Sequence, residues 1–204
     1  MSRLKRFQIL GLSILASALL LLSGCAGRQA GAPDADAGTA VGRAVGANAP
    51  NSQYLQLVDG LHVTGTPIEV DVASFRLRIE GAVRQPLAMS LEQIRALPAV
   101  REEITLVCPG FFTDRGIWTG VPLRDLLALA GVRAGAGKVV FTSLSGGYTS
   151  SLTLEEAQHD GVLVAYEFEG KPFPVVHGYP LRLAAKDHEG NVWVKWLGAI
   201  RVGE

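Results

Sequence analysis

The sequence predicts an α+β domain rich in β structure, with mixed sheets and a few short helices, over residues 53–204. Three observations predict it. Segments with an apolar residue at every second position recur along the chain, which is the period of a strand with one buried face. Two capping boxes, Ser90 to Gln93 and Thr153 to Glu156, open only short helical stretches. These helices come at irregular intervals, unlike the regular strand–helix alternation of a doubly wound sheet.

The elements follow in order. Phe75, Leu77 and Ile79 alternate with Arg76, Arg78 and Glu80 ahead of Gly81, as in a half-buried strand. Ser90 caps a helix with Leu91, Ile94 and Leu97 on one face, and Pro98 stops it. Ile104 and Leu106 alternate with Glu103 and Thr105 in a strand that ends on Cys108. Pro122 opens a second helix whose apolar face is Leu123, Leu126, Leu127 and Ala130, with Gly131 suited to its C-terminal cap. Strands are then expected at 139–142, 148–152, 162–168, 180–185, 192–197 and 199–202, interrupted by a helix at 153–158.

The chain has 204 residues, 48% hydrophobic, with Lys plus Arg and Asp plus Glu both at 19. That composition can bury a core, and the charge balance offers no basic footprint for nucleic acid, so no nucleic-acid partner is expected. There is no internal repeat, no glycine-rich phosphate loop and no helical histidine pair in the sequence.

The N-terminus reads as an address. Arg3, Lys5 and Arg6 precede an apolar run from Ile9 to Leu22, too short to span a membrane comfortably, which ends in Leu22-Ser23-Gly24-Cys25. This ending resembles the bacterial lipobox, and it implies a signal peptide over 1–24, lipidation of Cys25 and a lipid anchor in a bacterial membrane. Without the signal the chain loses three bases and no acid, and is mildly acidic. An Ala/Gly-rich stretch then makes 25–52 a flexible tether, so that the domain faces the periplasm.

Three clusters can carry chemistry. Cys108, followed by Pro109 and Gly110, stands at a strand-to-loop corner, where a thiol can be a nucleophile, a redox group, a soft metal ligand or a plain core filler. His177 and Arg182 flank a turn built on Gly178 and Pro180. Lys195, read as part of a strand, shares a face with Trp193 and Leu197, and must reach either water or an anion. Together His177, Arg182 and Lys195 can form a phosphate-binding set.

These segments, in order, resemble the sulfite-oxidase-type molybdopterin-binding domain. The resemblance runs from Phe75–Gly81 through the Cys108 strand, Trp118-Thr-Gly-Val-Pro-Leu123, Gly147-Tyr148, Leu163-Val-Ala-Tyr166, His177-Gly-Tyr-Pro-Leu-Arg182 and Val194-Lys-Trp-Leu197. It implies a molybdopterin-dependent oxidoreductase that moves an oxo group on a small-molecule substrate by two electrons. Cys108 would ligate molybdenum, and Tyr148 would hydrogen-bond the oxo group or substrate. His177, Arg182 and Lys195 would hold the anionic pterin and its phosphate. With no haem motif, a separate electron-transfer protein or quinone-linked partner is implied. Gly110-Phe111-Phe112 replaces the family's Gly-Asn-Arg, which points away from sulfite towards a less polar substrate or a narrower pocket. Ala184-Ala185-Lys186-Asp187 replaces a Pro-Gly turn, so pterin contacts from that loop do not carry over. The signal also lacks an adjacent arginine pair, which leaves a second expectation: a cofactor-free binding or structural lipoprotein on the same fold.

Overall fold

The computed structural model describes residues 43–44 and 56–203, all within one compact unit. The expected signal segment, Cys25 and most of the tether lie outside the described residues. Within the expected tether, β1 (Arg43–Ala44) pairs antiparallel with β4 (Ile68–Glu69), so this stretch is not tether throughout. A hairpin of β2 (Leu57–Val58) and β3 (Leu61–His62) precedes β4.

Two larger sheets form the body. The first has the order β10-β9-β14-β5-β6, built from β5 (Leu77–Gly81), β6 (Leu87–Met89), β9 (Lys138–Ser143), β10 (Thr149–Thr153) and β14 (Leu197–Gly203). Its β14–β5 pair is parallel and the others antiparallel, giving the expected mixed sheet. The second has the order β12-β11-β8-β7, with β13 also on β11. Its strands are β7 (Val100–Cys108), β8 (Phe112–Pro122), β11 (Val162–Phe168), β12 (Lys171–Pro172) and β13 (Arg182–Ala185). All of its pairings are antiparallel.

The helices start where the caps predict. Ser90 accepts from the Gln93 amide ahead of α1 (Leu91–Arg95), and Thr153 does the same with Glu156 ahead of α3 (Leu154–Ala157). Gly131 ends α2 (Leu123–Ala130) in the left-handed region at φ 69°, where a side chain is unfavourable. The four expected apolar residues of α2 are all buried. Among the described residues no helix is long and apolar enough to cross a membrane.

Two expectations fail. The reading missed β8, an eleven-residue strand that pairs with β7 from Cys108–Phe112 to Val100–Gly120. Secondly, 192–197 is not a strand: regular pairing begins only at Leu197, and Trp196 adopts φ 50°. A left-handed residue cannot continue a pleated ladder. The segment is pinned between the sheets instead. Leu183 N–H donates to Val194 O at 2.8 Å, and Leu144 N–H donates to Trp196 O at 2.8 Å. A buried aromatic knot fills the space behind it, with the Trp118 ring 4.9 Å from Phe168, 5.7 Å from Phe173 and 5.1 Å from Trp193.

Candidate functional site

The irregular segment 190–196 brings the two sheets to one cleft. Gly190 N–H donates to Val107 O at 2.7 Å, docking the segment beside the end of β7. A Cβ on Gly190 would lie 3.6 Å from that of Cys108, so the glycine backbone packs directly against the thiol-bearing residue. Further along, Ser143 Oγ of β9 donates to Lys195 O at 2.8 Å. Between them opens a cleft of about 460 Å³, walled by Thr64, Thr66, Ser143, Ser145, Tyr148, Gly190, Trp193, Lys195 and Trp196.

Cys108 is a free, half-buried thiol packed against Gly190, which lines the cleft. Tyr148, on the cleft wall, donates its hydroxyl to Asn191 O at 2.5 Å. Burial raises the Tyr148 hydroxyl above its ordinary value, and the nearby Cys108 adds to the rise. Lys195 also stands on the wall, with Nζ donating to Thr64 O at 2.8 Å and Val176 O at 3.0 Å. Its partners are carbonyls, and among the described residues no carboxylate pairs with it directly. Burial pushes the ammonium down to about 7, the Arg182 charge adds to this, and Asp114 opposes it.

His177 and Arg182 lie behind the wall rather than on it. Arg182, only 2% exposed, donates through Nη1 to His177 O at 3.2 Å. Its guanidinium carbon sits 5.0 Å from the Trp118 ring centre and 5.8 Å from those of Phe173 and Trp193. A guanidinium stays charged at any working pH, and these ring faces offset part of the cost of burying it. Its Nε has no partner, and burial lowers the group to about 10. His177 ends a 3-10 turn (Val175–His177) ahead of Gly178, at φ 104°, and the cis Tyr179–Pro180 bond. Its Nε2 meets Val58 O at 2.7 Å while the buried Nδ1 is unpartnered. Burial pushes its ring down to about 4, against the Val58 carbonyl.

The sequence reading missed a second pair. Asp114 of β8, 4% exposed, accepts from the His62 backbone N–H at 2.8 Å and meets His62 Nδ1 at 2.6 Å. The two residues are 52 positions apart, so no local spacing could have joined them. Asp114 is also the carboxylate whose charge reaches His177, Arg182 and Lys195.

A thiol and a phenol beside a cleft with a half-buried ammonium held by carbonyls make a donor set for an anionic ligand that carries a soft, thiolate-binding centre. Fold and site together define a β-rich domain of the cofactor-holding kind. Residues 63–204 match the oxidoreductase molybdopterin binding domain, and the chain belongs to that family. It is 31% identical over 172 residues to a nitrate reductase of Volvox carteri, covering 69% of this chain and 20% of that protein. It is 30% identical over 134 residues to the uncharacterized oxidoreductase YuiH of Bacillus subtilis, covering 65% of this chain and 67% of the relative. A sulfite oxidase of Arabidopsis thaliana is 29% identical over 171 residues, 67% of this chain and 44% of that enzyme. The sulfane dehydrogenase SoxCD of Paracoccus pantotrophus superposes with TM-score 0.63 at 27% identity, over 67% of this chain and 40% of that one. The chain thus spans two-thirds of YuiH but a fifth of the algal reductase.

Proposed function

We propose that the chain is a membrane-tethered, periplasm-facing molybdopterin-dependent oxidoreductase that carries out two-electron oxo transfer on a small substrate. The observation that carries the reading is the free Cys108 thiol packed against Gly190 of a cleft whose wall holds the half-buried Lys195 ammonium, which has no carboxylate partner among the described residues.

The residues fit the cofactor. Among the described residues no group of three His, Cys, Asp or Glu side chains is arranged to hold a metal. Cys108 therefore suits a metal that arrives with an organic chelate supplying its other ligands. Lys195, with the hydroxyls of Thr64 and Thr66 on the same wall, offers the charge and donors that an anionic phosphate needs. Arg182 adds positive potential from behind, and the unpartnered Arg182 Nε and His177 Nδ1 are, among the described residues, orphaned polar atoms that a ligand or ordered water would satisfy.

When bound, the molybdenum centre supplies the two-electron redox couple and the oxygen exchange. The chain does the rest. Cys108 donates a soft thiolate, Tyr148 holds its phenol on the cleft wall by donating to Asn191 O, and Trp193 and Trp196 exclude water from the cleft wall. The side chain of Phe112, opposite Cys108 in the hairpin, stacks on His62 where the family's pattern has an arginine, which favours a weakly polar substrate over an oxyanion. Electrons come from or go to a separate electron-transfer protein or quinone-linked partner. Cys25 carries the lipid anchor.

The test is molybdenum and released pterin per chain, measured on full-length protein purified from a host that makes the cofactor. Near-stoichiometric amounts in wild type, and loss of the metal from a folded Cys108→Ser variant, are expected. A folded wild-type protein without metal or pterin would instead make this a cofactor-free scaffold.

A further inference from the structure

Cys108, Phe112, Leu106 and Asp114 share one face of the β7–β8 hairpin. The register pairs Cys108 with Phe112 and Leu106 with Asp114, and directly opposite residues project to the same side. His62 lies on that face, its ring stacked on Phe112 with centres 4.6 Å apart and planes 18° apart. Burial alternates through the segment after β2: Leu61 and Val63 are in the core, while His62 and Thr64 face the other way. Thr64 walls the cleft. His62 and Thr64 thus lie on one side of their segment, His62 against the hairpin face that carries Cys108 and Thr64 on the cleft.

Its ring is fixed by two contacts on Asp114, one through the backbone N–H and one through Nδ1. Asp114 is almost fully buried, and the positive charges of Lys195 and Arg182 lie near it. With Nδ1 facing the Asp114 carboxylate, Nε2 is the ring nitrogen that points away from it. The His62 side chain is 24% exposed, so part of it meets solvent. The charged and titratable groups around the pair are Asp114 and Cys108 on the hairpin, Lys195 on the irregular segment, Arg182 on β13 and His177 on the 3-10 turn.

We propose that His62, held by Asp114, is the proton carrier of the site at Cys108; this rests on the oxidoreductase reading above. In the reductive direction an oxygen-bearing substrate SO takes two electrons from an external carrier and two protons, its S–O bond breaks, and S and water leave. One proton comes from His62 Nε2 and the other from solvent. In the oxidative direction water supplies the oxygen, S becomes SO, two electrons pass to the external carrier, and Nε2 accepts one of the two protons released.

The test needs no known substrate. His62→Gln keeps an amide that can hydrogen-bond to Asp114 but cannot carry a proton. Wild type and variant are compared for molybdenum and pterin content, then for the rate and solvent deuterium isotope effect of reduction of the metal centre by dithionite over roughly pH 5–9. Equal metal content with a slower, more isotope-sensitive reduction in the variant is the expected result. Equal metal content with an unchanged rate and isotope effect overturns the proposal and leaves the oxidoreductase reading standing. Absence of molybdenum from the wild-type protein removes that reading, and the proton carrier with it. Should the variant fail to load, ring-nitrogen NMR of the full chain decides. His62 protonated on Nδ1 in wild type, with that signal altered in Asp114→Asn, supports the carrier, and His62 protonated on Nε2 alone overturns it.

Discussion

Replacing Lys195 by methionine removes the cleft's ammonium while keeping most of its length. Burial, with Arg182 adding and Asp114 opposing, holds the folded Lys195 at about 7, against 10.5 for the exposed side chain. Between those two values the unfolded chain binds a proton that the folded chain has released. Stability therefore rises with pH in that window, by about 1.4 kcal/mol per unit. The group is half-titrated at the lower end, so from roughly pH 7 to 9 the wild-type chain gains about 2 kcal/mol over Lys195→Met. For a domain of this size that is about 4–8 °C in Tm, readable by thermal unfolding of the cofactor-free full chain. All other titrating groups are common to both proteins and cancel in the difference. Inorganic phosphate supplies a second arm: an anion held by the ammonium favours its charged form, so phosphate should stabilise wild type below pH 7 more than the variant. Tm curves that run parallel across the pH range, with no selective response to phosphate, would refute the reasoning.

Other perturbations follow from the same structure. Gly120→Ala places a Cβ 2.6 Å from Ala165 Cα, forcing β8 and β11 apart, and should cost about 3 kcal/mol or more in urea unfolding. Cys25→Ala should release the protein from membranes on fractionation, whereas retention as an uncleaved precursor would mean a signal-anchor instead. Gly190→Ala meets its neighbours no closer than 3.4 Å, so the fold should survive unfolding assays unchanged. Its methyl points at Cys108, and metal content per chain should fall.

Much of the architecture was legible because it rests on local rules. The capping boxes at Ser90 and Thr153 and the left-handed Gly131 are decided within a few residues, and each stands where the sequence places it. The strand β8 was not legible. Its pattern is broken by Thr113, Asp114 and Arg115, and by Gly116 and Gly120, whose missing side chains make room for Phe168 and β11. A cross-strand packing need is invisible to a period-two reading. The segment 191–196 failed in the opposite sense: its alternating Val192, Trp193, Val194, Lys195 and Trp196 imitate a strand, while the hydrogen bonds go to three different elements. Lys195 was nonetheless correctly singled out as a lysine in need of an unusual partner, because its apolar neighbours made that demand in any backbone conformation. The Asp114–His62 pair had no signal at all, since it depends on tertiary contact between residues from separate hairpins.

The charge balance behind the cleft bears on whether this domain holds a ligand or serves as a scaffold. Asp114 is the one carboxylate that acts on all three of Lys195, Arg182 and His177, and its own hydrogen bonds go to His62. The ring faces around Arg182 account for its burial, and the depressed titration of His177 keeps that ring neutral. Lys195 has no such relief: two carbonyls hold its ammonium in place, yet burial still drives it towards the neutral form at ordinary pH. A scaffold without a ligand would be steadier with methionine or leucine at that position, because either packs against Trp193 and Trp196 without a buried charge. An anion in the cleft reverses the sign, turning the same ammonium from a destabilising group into a stabilising one. On the proposed reading the position is costly in the empty domain and favourable with an anion bound, which is the energetic pattern of a binding site.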